Sequence, residues 1–173
     1  MFLPVLCEGS SAQSCQISDA ILDLINQGVG IFAASSNSNC VPALSYVVGC
    51  RIHEGRQAIT LFVDASEAGC LLENAKSSGR LSAVFSCPST HQTIQIKGLV
   101  LKVSPASTED FRYIEETVQR FTSDVMGLGF SKDYCVFMNA YDANAIMALT
   151  LQPQHIFDQT PGSQAGKLMS GQS

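Results

Sequence analysis

Between residues 29 and 103 five short apolar or alternating segments follow one another, and most of the stretches between them are too short to carry a crossover. They are Val29–Ser35, Val41–Ile52, Ala58–Val63, Leu81–Phe85 and Thr93–Val103, with a sixth at Ala145–Leu151. Parallel neighbours need a connection of a dozen residues or more, whereas antiparallel ones need only a tight turn. Asn37–Asn39, His53–Arg56 and Pro88–Thr90 supply such turns, with Gly55 offering a permissive backbone in the second. The sheet is therefore expected to be mainly antiparallel. Three helical patterns interrupt it. Asp19–Gln27 follows the capping residue Ser18, residues 67–77 follow Ser66, and a third runs from Ser107 or Thr108 to Gly127. The third is the clearest, because Phe111, Ile114, Val118, Phe121 and Val125 recur at helical spacing. Six strands with a few covering helices predict a closed or nearly closed barrel. Residues 1–16 read as a flexible N-terminal arm, 17–160 as one domain and 161–173 as a flexible C-terminal tail.

Within Thr93–Val103 the alternation changes phase. Ile94 and Ile96 share one face, but Leu99, Leu101 and Val103 fall on the other, and the slip occurs at Gly98. A bulge or a close backbone approach produces such a slip. The same strand carries the densest polar cluster of the chain. Thr93, Gln95 and Lys97 share its second face, where amide, hydroxyl and cation can meet one ligand. The other reading of these residues is the solvated outer face of a barrel strand.

Composition narrows the function. Charged residues are 14% of the 173, against about 25% in ordinary globular chains, and apolar ones are 46%. Most of the chain is therefore not disordered. Such thin charge points to a covered surface, most simply in a homodimer. With a net charge of −5 and no run of basic residues, nucleic acid is not an expected partner. No apolar stretch reaches the ~20 residues of a membrane span, and the short run Phe2–Cys7 does not read as a secretory signal. The seven cysteines are odd in number and lack close pairs, so they read as reduced thiols of a cytoplasmic protein rather than as a metal site or a disulfide framework.

No phosphate-binding glycine loop is present; Gly127 and Gly129 close a helix instead. Cys87 and His91 flank one turn, but nothing in the sequence orients them as nucleophile and base. His53, His91 and His155 stand at different junctions and do not suggest a metal. The acidic pairs Glu109-Asp110 and Glu115-Glu116 lie on the polar face of the third helix.

The segment LFVDASEAGCLLENAKSSGRLSAVFS, followed by HQTIQIKGLVLKV, resembles the pyridoxamine 5′-phosphate oxidase-like, FMN-binding split-barrel family. The likeness lies in the order of parts: a strand, a serine-containing turn, a helix with apolar-Glu-Asn, a Gly-Arg, a β-rich strand and a strand ending in glycine. It implies a six-stranded antiparallel split β-barrel with covering helices, a homodimer, and FMN between the subunits as cofactor. The family's phosphate-gripping arginine position falls near Ser45 and its turn serine on Ser66. The polar positions of its fifth strand fall on Gln92 and Thr93, and Lys97 is a further cation on that strand. The basic positions after the turn serine fall on Glu67 and Ala68, which are not basic. The end of the chain also lacks the basic residues that a true pyridoxamine phosphate oxidase needs for its substrate phosphate. The expected function is a flavin-dependent oxidoreductase of some other small molecule. The alternative is a barrel without tight FMN binding that serves as a non-enzymatic ligand-binding or interaction protein. Haem binding through His91 or His155 is a more distant third.

Overall fold

The computed structural model describes residues 14–171. Helix α1 spans Asp19–Asn26, and the strands are β1 Gly30–Ser36, β2 Pro42–Tyr46, β3 Gly49–Ile52 and β4 Ile59–Asp64. Helix α2 (Gly69–Ser78) leads to β5 (Arg80–Ser86) and β6 (Thr93–Pro105). Helices α3 (Asp110–Gly127) and α4 (Lys132–Met138) precede β7 (Ile146–Asp158) and β8 (Leu168–Ser170). All pairings are antiparallel, in the order β2-β1-β5-β6-β7-β4-β3, with β8 on β7. No described helix is long and apolar enough to cross a membrane.

The sheet has eight strands, where six were expected. Two causes account for the difference. The single strand expected over 41–52 is divided, because successive amides serve different neighbours: Val47 N–H donates to Ile31 of β1, and Val48 N–H to Phe62 of β4. The other addition is β8. The Leu168–Ser170 segment, within the expected flexible tail, pairs with β7 at Ile156 and Phe157. At the other end, residues 1–13 of the expected arm lie outside the described residues, while Cys15 N–H donates to the Pro153 carbonyl.

The inward rows of the sheet make the core. Ile31, Ala33, Leu61, Phe85, Ile96, Leu149 and Ile156 are buried together, closed at one end by Ile21, Leu24 and Ile25 of α1. Ser18 caps α1 as expected, its hydroxyl accepting from Ile21 N–H at 3.4 Å. A second cluster joins Val48, Phe62, Ile146 and Ala148 to Ile114 of α3. There α3 approaches so closely that a Cβ on Gly49 would lie 2.7 Å from the Ile114 Cα.

Three local expectations are corrected. Ser66 does not cap α2, which starts at Gly69; its hydroxyl donates to Asp64 at 2.6 Å. The left-handed residue in the 53–56 turn is Arg56 (φ +55), not Gly55. At the start of α3, Ser107 gives both its N–H and its O–H to the Asp110 carboxylate instead of accepting. The Gly98 irregularity is observed. The β6–β7 register shifts between Lys97 and Gly98, and a Cβ at Gly98 would collide with the Gln152 carbonyl.

Candidate functional site

Strand periodicity sorts the expected site residues between the two faces of the sheet. Ala33, Ala83, Ile96 and Ile156 pair in register across β1, β5, β6 and β7 and are fully buried. Ser45 pairs with Ala33 in this inward row; it is buried, and its hydroxyl donates to the Tyr46 carbonyl at 3.3 Å. Two outward rows lie on either side. One is Phe32, Val84, Gln95 and Phe157; the next is Ala34, Ser82, Lys97 and His155. Thr93, Gln95 and Lys97 thus share the outward face, as the alternation predicted.

That face is tied together by side-chain hydrogen bonds. The Gln95 amide donates to Ser82 Oγ at 2.9 Å, and the Gln159 amide donates to Gln95 Oε1 at 3.3 Å. Thr93 Oγ1 lies 2.8 Å from Ser86 Oγ and donates to the His91 carbonyl. Lys97 Nζ stands 5.0 Å from the centre of the Phe157 ring, a cation–π contact. Phe32 is 44% exposed, so the row it begins offers apolar surface beside the Gln95 amide. Gln92 lies just before β6, exposed, at a cavity of about 170 Å³ shared with Asp158 and Thr160.

Ser66 is not brought to this face. It sits in the turn after β4, where Asp64 accepts from its N–H and O–H and from Asp142 N–H. Burial would raise the Asp64 carboxyl, but these donors outweigh it and hold it below its ordinary value. Cys87 does not pair with His91 through its thiol. Its sulfur meets Ser89 Oγ at 3.4 Å and Asp124 Oδ1 at 3.9 Å. Burial pushes that thiol up, the hydrogen bonds from Ser89 and Thr90 pull it down more, and the net shift is downward. Among the described residues no His, Cys, Asp and Glu cluster is arranged to hold a metal ion, and six cysteines are free.

A groove of about 400 Å³ opens on the outward face where β1, β5, β6 and β7 meet. Its walls include Ser36, Arg80, Ser82, Lys97, Gln154 and His155, and no Asp or Glu lines it. Sequence reasoning found Lys97 and its neighbours on β6. It did not join them to Ser36, Ser82 or His155, although the alternation of Arg80, Ser82 and Ser86 on β5 was a usable signal.

No protein-family model matches the sequence, and no curated protein matches it. Solved structures do match. HupZ of Group A Streptococcus superposes with a TM-score of 0.52 at 13% identity, covering 87% of this chain and 100% of that one. An F420 reductase gives a TM-score of 0.52 at 11% identity, over 78% of this chain and 93% of its own. A candidate pyridoxamine 5′-phosphate oxidase from Lactobacillus delbrueckii gives 0.52 at 9% identity, over 84% and 99%. At such identities the likeness establishes architecture rather than activity. The chain has the fold of the pyridoxamine 5′-phosphate oxidase-like split-barrel proteins.

Proposed function

We propose that this protein binds a flavin, FMN in the first instance, on the outward face of β5 and β6, and acts as an oxidoreductase on a small molecule other than pyridoxamine phosphate. The observation that carries the reading is the row Phe32–Val84–Gln95–Phe157. A flat heteroaromatic ring needs apolar surface beneath it and a few donors and acceptors at its edge. Phe32, Val84 and Phe157 offer the first; Gln95, Gln159 and Thr93 offer the second, so the residues present fit the ring. When bound, FMN supplies the electron chemistry, while the chain positions it and limits water. The fold, shared with proteins named as F420 reductase and candidate pyridoxamine 5′-phosphate oxidase, supports the same class of ligand. A homodimer belongs to the reading, because Leu44, 67% exposed, and Phe32 leave apolar surface that a second copy would cover.

A second reading keeps the barrel as a ligand-binding protein without redox chemistry. It is favoured by Ser45 and Ser66, whose hydroxyls are already engaged by Tyr46 and Asp64. One titration separates the two. Adding FMN or riboflavin to the purified protein is expected to quench flavin fluorescence saturably, and Val84→Lys is expected to abolish the quenching. Absence of quenching by either flavin overturns the flavin reading. Saturable binding with no turnover in a screen of reductants and acceptors leaves the non-enzymatic reading.

A further inference from the structure

We propose that the groove formed by Ser36, Arg80, Ser82, Lys97 and His155 is a seat for the phosphate of a phosphate monoester. The resemblance-derived phosphate positions, Ser45 and Ser66, are not in it. The proposal does not depend on the flavin reading.

Charge is the first argument. The chain has 15 acidic residues against 10 basic ones, yet the lining of this groove holds Arg80, Lys97 and His155 and no carboxylate. The second argument is availability. Arg51, Arg56 and Arg120 are paired with Asp110, Asp19 and Glu116, and Arg112 lies 4.9 Å from the Tyr113 ring centre. Arg80 is the one arginine whose guanidinium has no partner among the described residues. Its planar fork matches two phosphate oxygens. Lys97 has no carboxylate partner among the described residues, and its contact with the Phe157 ring holds it beside the groove.

Neutral donors complete the set. Ser82 Oγ accepts from Gln95, which leaves its own proton to donate. Ser36 makes no side-chain hydrogen bond among the described residues. Ser35, also in the wall, is already engaged, donating to the Leu71 carbonyl at 3.0 Å. The backbone explains why the groove exists. The register shift at Gly98 pairs Lys97 with His155 and Gly98 with Pro153, so Gln154 is the extra residue between them, and the shift lies in the wall of the groove. Its volume of about 400 Å³ lies within the usual span for small-molecule sites.

Two ligands carry this chemistry: the tail of a flavin nucleotide, and a separate phosphorylated small molecule. Inorganic phosphate, titrated into the ¹⁵N-labelled full chain, tests the seat itself. Saturable shifts are expected at the amides of Ser36, Ser82 and Gly98. Arg80→Gln together with Lys97→Gln, both exposed, should weaken phosphate by about tenfold or more while the circular dichroism spectrum is unchanged. Parallel titrations with FMN and riboflavin name the source. A preference for FMN that disappears in the double variant assigns the seat to the flavin's tail. Equal affinities for the two flavins, with phosphate still weakened by the double variant, assign it to a separate phosphorylated molecule. The proposal is overturned if phosphate moves none of those amides, or if the double variant binds phosphate as the parent does. Failure of both FMN and riboflavin to bind, with phosphate still shifting those amides, would sink the flavin reading and leave this one standing.

Discussion

Arg51 Nη1 stands 2.6 Å from Asp110 Oδ1, and this contact ties β3 to the first turn of α3. The Asp110 side chain is almost wholly buried, and its other oxygen accepts the N–H and O–H of Ser107 at 2.8 Å. One carboxylate therefore serves three donors from two residues, Arg51 and Ser107. Asp110→Asn would present an amide group to donors and leave at least one unsatisfied. We expect a loss of about 2–4 kcal/mol, read from the urea midpoint at constant slope. A loss below about 1 kcal/mol would mean that the pair orients α3 without stabilising it.

Gly98 and Gly55 make a matched test of backbone crowding. A Cβ at Gly98 would strike the Gln152 carbonyl, whereas one at Gly55 meets nothing within 4 Å. Gly98→Ala is expected to cost about 2–3 kcal/mol, and Gly55→Ala to change stability by less than about 0.5 kcal/mol. Thermal denaturation of the two variants decides it; equal midpoints would show that β6 and β7 can move apart freely.

Stability should fall in alkali. Burial pushes the Cys50 thiol from 9.0 up to about 12, the nearby Arg120 charge and the Thr117 hydrogen bond offsetting part of the effect. Burial likewise raises the Tyr46 hydroxyl from 10.0 to about 12. The folded chain keeps protons that the unfolded chain releases above these ordinary values. The unfolded state then binds fewer protons, so stability is complete below pH 9.0 and declines as pH rises toward about 12. Midpoints measured between about pH 8 and 11 should decline, and Cys50→Ala should decline less steeply. An unchanged slope in the variant would acquit the thiol.

Ser66→Ala should separate architecture from ligand binding. The Ser66 hydroxyl donates to Asp64 at 2.6 Å in an exposed turn. Its removal is expected to cost about 0.5–1 kcal/mol and to leave flavin and phosphate affinity unchanged. A tenfold or greater loss of FMN affinity, with the midpoint unmoved, would return the phosphate to the turn serine (~1.4 kcal/mol).

The alternation of Thr93–Lys97 made a face legible, because side chains at period two cannot change sides without a slip in register. The slip itself was legible at Gly98, where the apolar phase reverses. The break between Val47 and Val48 was not. Both are apolar, the glycine that follows them, Gly49, does not say which neighbour each amide takes, and only the partners of their amides differ. Helix α4, seven residues long, left too short a period to detect. The polar turn of the sequence from Gln152 ended the expected strand at Leu151, although β7 runs on to Asp158 and Pro153, which has no N–H to donate, faces Gly98 at the register shift. The groove was illegible for a related reason. Ser36, Arg80, Lys97 and His155 come from four strands, and their meeting depends on register rather than on spacing along the chain.

The position of β7 between β6 and β4 bears on the order in which the chain folds. The β1–β2 and β5–β6 pairs, and the β3–β4 pair, close through short connections and can form early. The β3–β4 pair is held to the rest of the sheet through β7, where Ile59 faces Leu151 and Asp64 faces Ile146 across about half of the chain's length. Long-range pairing of this kind requires loop closure before any contact rewards it. We expect the docking of β7 to be the slow step, with the apolar faces of two hairpin sets open to water and to other chains until it occurs.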